Sequence, residues 1–168
     1  MNILLAQLIG MAGVILMVGS MQFKTKKHIM LAQLIANILY AIQYTLLGAF
    51  SASSMNIIGT IRCLTIYTHE KKLKKPNILI PILLSIITII IGIINYKTYL
   101  SLIPLLISLS HTITAFLKNT KIYKITFLTT CIIWIYYNYS VKAFTCLIGN
   151  ILEAFSTSIS LHKTKKSQ

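Results

Sequence analysis

Seven apolar runs, each close to twenty residues and each closed by a short polar break, leave almost no chain over for anything else. They fall at 3–21, 29–47, 52–69, 77–95, 98–117, 123–140 and 143–161 of 168 residues. A helix that crosses a bilayer needs about 20 mostly apolar residues at about 1.5 Å per residue. The runs therefore predict an all-α integral membrane fold with seven transmembrane helices, and they exclude a soluble domain of useful size. Charged residues make up 11% of the chain, against about 25% in ordinary soluble domains.

The charge that remains is one-sided: sixteen Lys and Arg against two acids, a net charge of +14. Such a balance raises the question of nucleic acid. The lysines, however, form short clusters between apolar runs rather than one polar face, so no nucleic-acid partner is expected. Alternate loops and the tail hold thirteen lysines: Lys24, Lys26 and Lys27; Lys71, Lys72, Lys74 and Lys75; Lys118, Lys121 and Lys124; and Lys163, Lys165 and Lys166. The intervening loops hold only Lys97 and Lys142. Cytoplasmic loops are enriched in Lys and Arg, so the pattern predicts an outer N-terminus and a cytoplasmic C-terminus, with the basic loops against anionic lipid head groups. The first run has no charge before it and lysines after it, the reverse of a secretory signal, and reads as an uncleaved helix. Cys63, Cys131 and Cys146 sit in apolar runs without ligand spacing, and read as small core residues rather than a disulfide framework or a metal site.

The chain also repeats. An offset of 94 residues lays Lys24 on Lys118, Lys27 on Lys121, Tyr40 on Trp134, Ala49-Phe50 on Ala143-Phe144, and Asn56 on Asn150. This predicts a three-helix unit over 1–70, a linking helix within 71–97, a second three-helix unit over 98–162, and a basic tail at 163–168. A single linking helix gives both units the same orientation, a parallel repeat of the kind found in transporters with a site between the repeats.

Polar residues inside the runs are the candidates for a site. Tyr40 and Asn56 each lie eight residues from Gly48, and Trp134 and Asn150 each lie eight from Lys142. Both pairs thus sit about 12 Å below a tight outer turn, near the bilayer centre. A ring and an amide at that depth in each unit can stack on and hydrogen-bond a solute; equally, the two amides can hydrogen-bond between helices as packing glue. Arg62, His111 and Glu153 are ionisable groups within spans, costly there and candidates for function. Counting from the outer helix starts puts Arg62 and Glu153 at equal depth, which predicts an ion pair between the units or, alternatively, a Glu153 that takes up protons or cations. His111 stands among Ser108, Ser110, Thr112 and Thr114, as a proton relay or a hydrogen-bonded packing residue. Gln7, Gln33, Asn37 and Gln43 are expected to face the bundle interior. Gly10, Gly13 and Gly19 permit close packing in the first helix, and Pro104 is a candidate hinge in the fifth. No phosphate-cradling loop, nucleophile elbow or metal-ligand cluster occurs, so neither catalysis nor a cofactor is expected.

Ser20-Met21-Gln22-Phe23-Lys24-Thr25-Lys26-Lys27, followed by Ala36-Asn37-Ile38-Leu39-Tyr40, Leu47-Gly48-Ala49-Phe50 and the stretch from Asn56 to Arg62, resembles the YgjV-type bacterial inner-membrane proteins. The layout of three helices, one, and three is similar, more distantly, to the SWEET sugar transporters and PQ-loop proteins. In those, an aromatic on the second helix of a unit and an Asn on the third help form the sugar site, which the resemblance maps onto Tyr40 with Asn56 and Trp134 with Asn150. The Pro-Gln pair of those proteins is Met21-Gln22 here. The resemblance implies a facilitator of a small neutral polar, sugar-like solute in the inner membrane, working by alternating access. A non-transporting scaffold or accessory subunit and a proton- or cation-coupled carrier are the alternatives, and self-association into a homo-oligomer is compatible with each.

Overall fold

In the computed structural model the apolar runs form seven α-helices: α1 (Ile3–Ser20), α2 (Lys26–Leu46), α3 (Phe50–Lys72), α4 (Leu79–Ile94), α5 (Leu102–Phe116), α6 (Thr120–Ser140) and α7 (Phe144–Lys166). A 3-10 turn, Tyr99–Ser101, leads into α5. The structure describes residues 3–72, 78–117 and 119–166, apart from the side chains of 69–72 and 164–166. Lys74, Lys75 and Lys118, and the side chains of Glu70, Lys71, Lys72, Lys165 and Lys166, lie outside the described residues.

The sequence predicts seven spans, and four segments prove long and apolar enough to cross a membrane: Ile3–Ser20, Lys26–Leu46, Tyr99–Phe116 and Phe144–Lys163. The apolar α4 is shorter, at 16 residues. α3 and α6 dilute their apolar residues with Ser53, Asn56, Arg62, Lys124, Thr130 and Asn138, all of them buried.

α1 packs on α2 and α7, α2 on α3, α3 on α5, α5 on α6, and α6 on α7, so six helices close into a ring. α4 lies outside it against α3 and α5, burying Leu84, Thr88 and Gly92 four residues apart as a single stripe. Its outward residues Leu83, Ile86, Ile90 and Ile93 are exposed, as are Leu4 and Ile15 on α1, Ile132 on α6, and Ile148 and Phe155 on α7. The interior meanwhile buries amides, hydroxyls and charged groups, among them Arg62, Lys124 and Glu153. An apolar exterior around a polar interior inverts the soluble arrangement and matches a lipid solvent.

The turn between α2 and α3 and the turn between α6 and α7 agree bond for bond. In the first, the backbone N–H groups of Leu47, Gly48 and Ala49 donate to the carbonyls of Gln43, Thr45 and Tyr44; in the second, those of Val141, Lys142 and Ala143 donate to Tyr137, Tyr139 and Asn138. The left-handed residue is Gly48 at φ 74° and Lys142 at φ 58°. A residue with a Cβ pays about 1–2 kcal/mol for that conformation, so the second turn holds with a lysine what the first achieves without strain.

Two sequence expectations change here. Lys124, read as a loop lysine, is buried on α6, where its Nζ donates to Ser160 Oγ at 2.6 Å and Phe23 O at 3.3 Å. Among the α1 glycines, an added Cβ on Gly10 would strike the Gln43 side chain and one on Gly13 would lie 2.8 Å from Tyr40 Cε1, whereas Gly19 has no neighbour within 4 Å. Two of the three are packing positions.

Candidate functional site

Inside the ring lies a cavity of about 70 Å³, room for a few water molecules or one very small solute. Tyr40, Asn56, Arg62, Pro104, His111, Trp134, Asn150 and Glu153, drawn from five helices, all line it.

Glu153 anchors one part of the wall. Its Oε1 accepts from Tyr40 Oη at 3.0 Å, and its Oε2 from Asn150 Nδ2 at 2.9 Å and Cys131 Sγ at 3.9 Å. The network continues away from the carboxylate: Asn138 Nδ2 donates to Asn150 Oδ1 at 2.7 Å, and Tyr44 Oη donates to Asn138 Oδ1 at 2.6 Å. Every donor in this chain points toward Glu153, so the bond dipoles align on the carboxylate and stabilise negative charge there. Trp134 stacks on Tyr44 with centroids 6.1 Å apart and planes 17° apart, and meets Tyr137 edge-on at 5.3 Å.

Arg62 occupies another part of the wall. Its Nη1 donates to Ser108 O at 3.1 Å and Thr112 Oγ1 at 3.2 Å, both on α5. The expected ion pair with Glu153 is not what forms: each charge bonds neutral partners on different helices. The physical reason is twofold. α3 neighbours α5 rather than α7, and Arg62 lies twelve residues past the start of α3 while Glu153 lies nine past the start of α7. Three residues separate their depths by about 4.5 Å, where the sequence count makes them level.

His111 lies edge-on to Tyr123 and Phe127, and its Nε2 meets Thr130 Oγ1 at 3.0 Å. The Thr130 hydroxyl already donates to Phe127 O at 2.9 Å, so His111 Nε2 is the donor and Nδ1 carries the lone pair of the neutral ring. Pro104 falls in the first turn of α5, directly after the 3-10 turn, where a missing N–H breaks little; it does not interrupt the middle of a helix. Asn56 turns its amide back onto its own helix, donating to Ala52 O at 2.8 Å.

The family model Imp-YgjV, described as bacterial inner membrane protein, matches residues 4–168. The chain belongs to that family. No curated protein and no solved structure matches it. As a YgjV-family protein it is a multi-helix protein of the bacterial inner membrane, with helices apolar enough to span.

The sequence reading missed the bonds that cross the ring in this YgjV-family protein. Tyr44 on α2 reaches Asn138 on α6 toward the tight-turn end, and Tyr123 on α6 donates to Gln33 on α2 toward the basic end. A signal for the first was available, since Tyr44 and Asn138 are themselves 94 residues apart.

Proposed function

We propose that this protein is a facilitator of a small, net-neutral polar solute, with the cavity inside the helix ring as its site. The two three-helix units, 1–70 and 98–162, rock around that site so that it opens to one face of the membrane and then the other. The observation that carries the reading is that the residues singled out by depth and repeat converge on one buried cavity. Two features support it. The cavity wall carries one cation, Arg62, and one anion, Glu153, so it favours no net charge. The cross-ring bonds Tyr44–Asn138 and Gln33–Tyr123 tie α2 to α6 at two levels, and all four residues line the cavity. Lysine placement sets the basic loops and the C-terminus in the cytoplasm and the N-terminus outside.

The test is exchange of small polar solutes by the purified protein in proteoliposomes. Asn150→Ala, which unties Glu153 from Asn138, lowers exchange at least about tenfold, since a hydrogen bond to a charged group is worth about 1.5–3 kcal/mol. A membrane scaffold is the second reading, favoured by Trp134, whose rings already pack on Tyr44 and Tyr137. On that reading no solute exchanges.

A further inference from the structure

The cavity wall has unspent hydrogen-bonding capacity, and it is not evenly distributed. Arg62 Nε, Gln33 Nε2, Ser108 Oγ and His111 Nδ1 are buried side-chain atoms with no partner among the described residues, on residues less than a tenth exposed that all line the cavity. Arg62 Nε–H and the Gln33 amide are obligate donors, and the Ser108 hydroxyl can donate. A guanidinium in a membrane interior that bonds a carbonyl and a hydroxyl, with no carboxylate in an ion pair with it among the described residues, is also an uncompensated charge, and such charges call for an anion. Unlike Arg62, Glu153 is already held by three neutral donors, yet its Oε1 accepts only one bond and keeps a lone pair. Tyr40, Tyr44 and Trp134 line the same cavity, and Tyr40 bonds Glu153 directly. A carboxylate beside aromatic rings is a setting for a cation.

We infer that the cavity is built for a small zwitterion of the α-amino acid class. Its carboxylate lies on Arg62, Gln33 and Ser108, and its ammonium on Glu153 beside the ring of Trp134. The inference rests on the facilitator reading and narrows it: a zwitterion is net-neutral, but unlike a sugar it compensates both buried charges at once. The cavity of about 70 Å³ restricts the class to the smallest side chains, glycine and alanine. Arg suits the carboxylate end because its planar fork bonds a carboxylate bidentately.

The experiment is counterflow by the full-length protein in proteoliposomes, with five radiolabelled probes run side by side: glycine, alanine, acetate, methylamine and glycerol. Glycine and alanine are expected to exchange at least about tenfold faster than the other three, the factor expected when one charge-assisted hydrogen bond is lost. Arg62→Gln abolishes that preference, while Arg62→Lys, which keeps the charge without the fork, retains part of it. Glu153→Gln does the same from the ammonium end, so the inference stays open to test if one variant fails to fold, and the wild-type panel needs no variant at all. Glycerol exchange without glycine exchange overturns the zwitterion and leaves the facilitator standing. Acetate moving as fast as glycine removes the role of Glu153, and methylamine doing so removes that of Arg62; either result overturns the inference. If none of the five moves, the inference and the facilitator reading fall together.

Discussion

Asn56 and Asn150 occupy the same place in the two halves, 94 residues apart and six residues past the starts of α3 and α7. One amide is spent on Ala52 of its own helix; the other joins Asn138 to Glu153. The turns preceding them are identical in their backbone bonds. The difference teaches that two stretches can share backbone geometry and side-chain depth while the wiring at that depth is one-sided. All the connected donors gather around the second half's carboxylate, and the counterpart of Glu153 at that offset is Gly59, against which Asn37 packs at 3.1 Å from where a Cβ would stand.

The sharpest way to break the comparison is to remove both amides separately. Asn150→Ala leaves the Asn138 amide without its acceptor and Glu153 without one donor, and is expected to destabilise the protein by about 3 kcal/mol. Asn56→Ala, which gives up a bond to a carbonyl of its own helix, is expected to cost less than about 1 kcal/mol. Thermal unfolding in detergent measures both, and equal costs would mean that the asymmetry carries no energy. Next in size is Gly13→Ala. The new methyl group drives into the Tyr40 ring, and Tyr40 is the first half's direct bond to Glu153, so about 2 kcal/mol is expected from overpacking. Tyrosine fluorescence should change along with stability, whereas the neighbourless Gly19→Ala serves as a control that moves neither. Smaller still are the two turns. Gly48→Ala forces a Cβ into the left-handed region and is expected to cost about 1 kcal/mol. Lys142→Gly relieves the same strain but adds freedom to the unfolded chain, for a net gain of about 0.5 kcal/mol. Opposite signs at equivalent positions would confirm that the halves share a turn and differ only in how comfortably they hold it.

Much of this fold was legible because apolar runs and lysines mark helix limits from within the chain. α2 and α6, at 26–46 and 120–140, stand at the very offset that Lys24 and Lys118 announce, and so do α3 and α7. Depth was legible to within about a helical turn for the same reason, since rise per residue is constant, and the candidate residues meet on one cavity. Lateral order was not. Nothing in the stretch around Arg62 says that α3 lies against α5, and a miscount of the two helix starts was enough to invent a pairing with Glu153. Lys124 shows the same limit: a lysine near a helix end reads as a loop residue until its stem is seen to run inward toward Ser160. Tyr44 and Asn138 were legible in principle, but only by asking which repeat partners would touch.

The two seams of the ring are not built alike. Where α3 meets α5, the chain itself passes from one half to the other, and α4 lies across the join with Gly92 seated on Leu105. Where α1 meets α7 there is no covalent link, and the helices hold by packing, with Val14 seated on Gly149, and by side-chain bonds: Gln7 to Thr145 and Lys142, and Gln22 to Ser156, which in turn bonds Val18. Such a ring resembles a book, sewn along one edge and closed along the other by packing and a few polar fastenings. A glutamine clasp can be undone and refastened without unfolding a helix, whereas the spine is held by the continuity of the chain itself.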